Sequence, residues 1–266
     1  MRQANMQGII SGMTETEAPS AARAASKRLR LRVYVLVATL SVVVVGLVWH
    51  HKNLVAANLL RTEPSQILAS PTLVSEAASI ARPQYQRHCA GCHGSALQGD
   101  ALRGVPDLAR NVWLYGNDPA DVERTILYGI RSGHPKARNL TDMPALVRTG
   151  QITIDDAHDE VEYLQSLAGH PHDEAAAVRG RAIYYNKGNC YDCHASDAHG
   201  VTDYGTPALT GPLYLYGGDR DTLYQSILNG RHGICPAWIN RLSPVQIRAL
   251  AIFLVTAPRT AAVSRN

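Results

Sequence analysis

Cys89-Ala-Gly-Cys92-His93 and Cys190-Tyr-Asp-Cys193-His194 decide how this 266-residue chain is read. A pair of thiols one helical turn apart, with an imidazole directly after, is the attachment signature of c-type haem. The thiols add across the two vinyl groups of a haem, and the next residue places a proximal ligand under the iron. Other uses of CxxC fit less well. A zinc ribbon sets its two pairs far closer together and needs no histidine after each. A thioredoxin-like motif needs a βαβ context, and disulfides within the pairs leave both histidines without a purpose. Two covalent haem c groups are the expected cofactors, bound by Cys89, Cys92, Cys190 and Cys193, with His93 and His194 on the irons.

Outward from the motifs, the chain repeats itself. They lie 101 residues apart, and the same offset aligns Pro106-Asp-Leu108 with Pro207-Ala-Leu209, and Leu114-Tyr-Gly-Asn-Asp118 with Leu215-Tyr-Gly-Gly-Asp219. It also aligns Ile126-Leu-Tyr-Gly129 with Ile227-Leu-Asn-Gly230. The offset then falls to 92, where Met143-Pro-Ala-Leu146 meets Cys235-Pro-Ala-Trp238, so the first copy carries nine extra residues around His134 to Asp142. Self-similarity of this kind marks duplicated structural units.

The local signals are helical. Asp118-Pro119 reads as an N-cap with proline at the first helical position, followed by Val122, Ile126 and Ile130 on one face. Thr153 caps a helix carrying Ile154, Ala157, Val161, Leu164 and Leu167. Ser243-Pro-Val-Gln246 forms a capping box ahead of Ile247, Leu250, Ala251 and Leu254. No useful strand alternation occurs, so the expected fold is mainly α.

Val33 to Trp49 is charge-free, and seventeen residues at helical rise reach roughly 26 Å, just short of a ~30 Å hydrocarbon core. Trp49 and Lys52 extend the span. Lys27, Arg28, Arg30 and Arg32 precede it, which puts the N-terminus in the cytoplasm and the rest outside. A cleaved signal peptide is the rival reading, opposed by the long apolar core and by His50-His51-Lys52 before the nearest cleavage-like site. Residues 1–32 carry a net charge of +4, equal to that of the whole chain, so the remainder is neutral and a nucleic-acid surface is disfavoured. The expected layout is a cytoplasmic segment 1–32, a transmembrane anchor 33–52, a tether 53–74, one cytochrome c domain at 75–168, a linker 169–174 and a second cytochrome c domain at 175–266.

A second axial ligand suits a haem to electron transfer. Met143 is the one methionine after the span and is expected on the first haem. At the aligned position in the second copy stands Cys235, the fifth cysteine and a soft donor, with His232 or His199 as alternatives. Arg131, Arg138 and Arg231 are candidates for pairing haem carboxylates. Trp113, Tyr115, Tyr214, Tyr216 and Trp238 are candidates for walling the haems, and His158, His170 and His172 are expected at the surface.

The anchor, the paired motifs and the phrases Trp113-Leu-Tyr-Gly116, Gly129-Ile-Arg-Ser-Gly133, Asp142-Met-Pro-Ala145 and Asn229-Gly-Arg-His-Gly233 resemble the dihaem subunit III of cbb3-type cytochrome c oxidases, over roughly residues 55 to 257. The resemblance implies two cytochrome c folds facing the periplasm from the inner membrane. It implies electrons taken from a donor cytochrome c or membrane cytochrome and passed to the monohaem subunit and the catalytic haem–copper subunit. It also implies His93 and Met143 as the axial pair of the first haem. The chain departs from the family at Cys235, where methionine is usual, and in an anchor without the tryptophan-rich start often seen there. Two other functions use similar parts: a dihaem sulfur oxidoreductase of the thiosulfate dehydrogenase kind with a His/Cys haem, and the haem subunit of a membrane dehydrogenase.

Overall fold

A computed structural model describes residues 19–110, 112–211 and 214–257; the expected N-terminal segment before residue 19 and the end of the second domain after residue 257 lie outside them. Among the described residues the structure is helical, with backbone pairing between extended segments confined to isolated bridges. The long first helix, α1 (Pro19–Arg61), crosses the division between two compact units, the first ending at Leu54 and the second starting at Val55.

From Val33 to Trp49 α1 is free of charged residues and apolar on every side. Leu36, Val37, Leu40, Val43 and Leu47 are all exposed, so no protein core accounts for them. The helix is long and apolar enough to cross a membrane.

The second unit begins with the last turns of α1, whose Val55 and Leu59 are buried. It continues through α2 (Pro64–Ile67), α3 (Pro71–His88), α4 (Ala90–His93), a 3-10 turn at Ala101–Arg103, and α5 (Pro119–Tyr128). Then come α6 (Ile154–Leu167), α7 (Glu174–Tyr185), α8 (Tyr191–His194), α9 (Arg220–Asn229) and α10 (Pro244–Thr256). The caps are those written in the sequence. Asp118 accepts from the Ala120 amide at 2.8 Å, and Thr153/Asp156 and Ser243/Gln246 close reciprocal capping boxes on α6 and α10. α5 stops two residues earlier than its spacing predicts: Gly129, at φ 74°, ends it, and Ile130 leaves the helix to pair with Cys235.

The two sequence copies are not the two packed bodies. One core joins α2 and α3 of the first copy to α10 of the second: Ile67, Ala77, Ala81 and Tyr85 pack with Ile247, Leu250, Ile252 and Phe253. The other joins α6 of the first copy to α7 and α9 of the second: Ala157, Val161 and Leu164 pack with Ile183, Tyr184, Leu223 and Ile227. Each copy thus gives its last helix to the other. Charges fix both exchanges. Arg248 on α10 donates to Glu123 of α5 at 2.6 Å and to the carbonyls of Leu59 and Thr62. Arg179 of α7 and Arg220 of α9 reach Asp159 and Glu162 on α6, each at 2.6 Å.

Candidate functional site

Each CxxCH segment is a single helical turn. The Cys89 carbonyl accepts from the amides of Cys92 and His93 at 3.1 and 2.9 Å, and the Cys190 carbonyl accepts from Cys193 and His194 at 3.2 and 2.9 Å. Helical spacing then sets the two thiols of each pair on one side. A tyrosine from the preceding helix braces each turn: Tyr85 Oη donates to the Gly94 carbonyl and Tyr184 Oη to the Ala195 carbonyl, both at 2.6 Å. The backbone after each histidine takes the same left-handed step, at Gly94 (φ 76°) and Ala195 (φ 65°). It folds back so that Gly99 and Gly200 bond the carbonyls of His93 and His194 at 2.9 Å.

The four motif cysteines do not converge on one point. Cys89, Cys92 and His93 line one cavity, and Cys190, Cys193 and His194 line another, which suits two separate prosthetic groups and not a shared zinc ion. Each cavity opens to solvent and is walled mainly by apolar side chains. All five cysteines are free thiols. Burial pushes the Cys89 thiol up to about 11 and raises Cys190 and Cys193 as well.

Both histidines are largely buried beside a backbone carbonyl. Burial lowers their affinity for a proton, partly offset by the carbonyls of Pro106 and Pro207. His194 Nδ1 lies 3.0 Å from the Pro207 oxygen, while the buried His93 Nδ1 has no partner within full hydrogen-bond geometry. Engaging Nδ1 with a carbonyl presents the Nε2 lone pair to the cavity, as an iron ligand requires. The donor set and the apolar walls fit haem c.

The structure seats the two candidate sixth ligands opposite to their sequence order. Met143 lines the cavity of His194, and Cys235 lines the cavity of His93. Sequence order puts Met143 with the first motif, but the chain crosses over. Ile130 and Cys235 exchange amide-to-carbonyl bonds, 2.9 Å each, and Arg231 and Met143 do so at 3.0 and 3.3 Å. These two bridges are images of one another under the internal repeat, and each carries a loop from one copy across to the other's cavity. Burial raises the Cys235 thiol to about 11, with Cys92 as a nearby contributor. His232 is exposed and bonded to Asp142 at 2.9 Å, His199 is exposed beside Asp197, and neither lines either cavity.

The aromatic residues are exchanged as well. A Cβ placed on Gly104 would lie 2.1 Å from the Tyr216 ring, and one on Gly205 would lie 2.1 Å from the Tyr115 ring. Each tyrosine therefore rests on a left-handed glycine of the other copy. Trp113, Tyr115 and Trp238 line the first cavity, Tyr214 the second, and Tyr216 both. Arg138 stacks over Tyr115 at 4.8 Å and Arg231 over Tyr216 at 4.1 Å. His158, His170 and His172 are exposed. Residues that the sequence did not single out include Glu160, buried in the second cavity, and Leu114 and Leu215, which line both cavities.

Residues 80–168 match the family model described as cytochrome c, and residues 175–254 match the one described as cytochrome C oxidase, cbb3-type, subunit III. The chain thus holds two cytochrome c-type units in tandem, the kind of unit that binds haem c covalently. It is 35% identical over 191 residues to the cbb3-type cytochrome c oxidase subunit FixP of Bradyrhizobium sp. (strain ORS 278), covering 71% of this chain and 64% of that protein. It is 37% identical over 199 residues to subunit CcoP of Azospirillum brasilense, covering 73% and 66%. Against subunit CcoP of Rhodobacter capsulatus it is 33% identical over 208 residues, covering 75% and 69%. The match spans just under two thirds of the length of the first two of these relatives and slightly more of the third. At this identity and extent, the chain belongs to the cbb3-type cytochrome c oxidase subunit III family, of which CcoP and FixP proteins are members.

Proposed function

We propose that this chain is a membrane-anchored dihaem cytochrome c that relays electrons within a cbb3-type terminal oxidase. The observation that carries the reading is the pair of cavities, each joining a CxxCH turn to a soft donor from the opposite copy, with one thin wall in common. Covalently attached haem c supplies a one-electron iron couple. The chain's own residues do the rest. Cys89 with Cys92, and Cys190 with Cys193, hold the two groups. His93 and Cys235 would hold the iron in one cavity, and His194 and Met143 would hold it in the other. The aromatic and aliphatic walls exclude water and so help set the potentials. A thiolate is the stronger donor, so the His93/Cys235 centre has the lower potential of the two.

The basic residues before the span support an orientation with the N-terminus in the cytoplasm and both haem cavities in the periplasm. The expected partners are the catalytic haem–copper subunit, the monohaem subunit and a donor cytochrome.

Low-temperature EPR of the ferric protein tests the ligand sets. A low-spin thiolate-type signal is expected. It should vanish when Cys89 and Cys92 are replaced by alanine, persist when Cys190 and Cys193 are, and disappear in Cys235→Met. Loss with the second pair instead would restore the uncrossed assignment. A colourless protein with the mass of its bare polypeptide would end the dihaem reading. Co-purification with a multi-span haem–copper protein tests the oxidase assignment.

A further inference from the structure

Among the described residues, Arg131 is the one charged residue that lines both cavities. It lies in the stretch after α5, at a left-handed φ of 48° that a non-glycine side chain adopts only at a cost. Its side chain is 14% exposed. The guanidinium is fixed from both copies: Nε donates to the Gly233 carbonyl at 2.6 Å and Nη1 to the Thr141 carbonyl at 2.9 Å. Gly233 itself lines both cavities, and Thr141 lines the second. The remaining walls in common are Leu114, Leu215 and Tyr216, so this charge sits in an otherwise uncharged partition.

The partition has a counter-charge on one side. Asp142 lies 3.4 Å from Arg131 Nε and 2.9 Å from His232 Nδ1. Under the internal repeat His232 is the counterpart of Arg131, so a single carboxylate ties together the two equivalent positions. Asp142 is half-exposed, and water screens it more than it screens the buried guanidinium. A net positive field therefore remains in the partition.

We propose that Arg131 is a positioning residue shared by both haems, whose one charge raises both reduction potentials together. The proposal rests on the dihaem reading above. A fixed cation disfavours the ferric state, which is one positive charge richer than the ferrous state, and the effect is strong across a short path of low dielectric. With the cation held in the wall itself, neither centre is tuned independently of the other.

Spectroelectrochemical titration of the purified full-length protein tests this, with haem content per chain measured first. Two haems per chain are required of the wild type; fewer would refute the dihaem reading itself. Arg131→Met should lower both midpoint potentials, and Arg131→Lys, which keeps the charge but not the fork, should leave both near the wild-type values. Asp142→Asn should move both in the opposite direction and guards against misfolding of the methionine variant. The proposal is overturned by a shift in one haem alone, by an Arg131→Lys shift as large as that of Arg131→Met, or by unchanged potentials in Asp142→Asn.

Discussion

Glu160 stands where the fold would place an aliphatic side chain. Counted from the caps Thr153 and Ser243, it is the equivalent of Leu250, which lines the other cavity. Glu160 is 2% exposed, lines the His194 cavity, and neither carboxyl oxygen has a hydrogen-bond partner. Burial pushes the carboxyl up from 4.5 to about 8, with Tyr163, Tyr184 and Cys190 as its titratable neighbours. The sign follows from proton counting. Below about pH 4.5 folded and unfolded chains both hold the proton. Between there and about pH 8 only the unfolded chain gives it up, so stability falls as pH rises, by up to ~1.4 kcal/mol per pH unit. Above about pH 8 the penalty stops growing. Glu160→Gln should remove this slope. Thermal melts at pH 5 and pH 8.5 should show the variant gaining on the wild type at the higher pH, and parallel profiles would refute the assignment. Spacing alone puts position 160 on the buried face with Ala157, Val161 and Leu164. Its charge argued for the surface, and only the packed structure resolves that conflict.

Among the elements, α10 commits most of one face to the core. Ile247, Leu250, Ile252 and Phe253 are buried, at about 1.5–3 kcal/mol each, or roughly 6–12 kcal/mol gross before entropy. That is comparable to the whole net stability of a typical domain, ~5–15 kcal/mol. Leu250→Ala should cost about 2–5 kcal/mol by denaturant titration. Because Leu250 also lines the His93 cavity, that substitution should perturb the spectrum of the haem attached by the first copy although the residue belongs to the second. The α6–α7 pair is closer still. A Cβ on Gly180 would lie 2.1 Å from the Asp159 carbonyl oxygen. Helix propensity alone predicts that Gly180→Ala gains about 0.8–1 kcal/mol. The contact reverses the sign, to a loss of about 1–3 kcal/mol, and urea unfolding distinguishes the two.

For the whole molecule, exchanging last helices makes the two haem units one folding entity. Neither half of the sequence holds a complete core: residues up to 168 lack α10, and residues from 169 lack α6. Proteolytic or genetic cleavage within 169–174 should leave a folded, two-haem complex while both pieces are present. Each piece expressed alone should fail to give a stable, cooperatively unfolding haem protein. Independent folding of either piece, seen as a sharp melt with full haem content, would contradict the exchange.

The sequence by itself determined what depends on neighbours along the chain: the CxxCH turns, the caps at Asp118, Thr153 and Ser243, the apolar span and the duplication. Local spacing is enough to specify these, because a helical turn or a capping box is satisfied within four residues. What it could not determine was partnership across the duplication. Two copies this alike offer α6 and α10 nearly equivalent docking faces, and the Met143 and Cys235 loops nearly equivalent cavities. Either pairing satisfies the pattern. The choice rests on long-range complements: Arg248 with Glu123, Arg179 with Asp159, and the paired bridges at Ile130–Cys235 and Arg231–Met143. Those contacts exist only once the chain is folded, so which cavity Met143 and Cys235 each line was decided by tertiary structure alone.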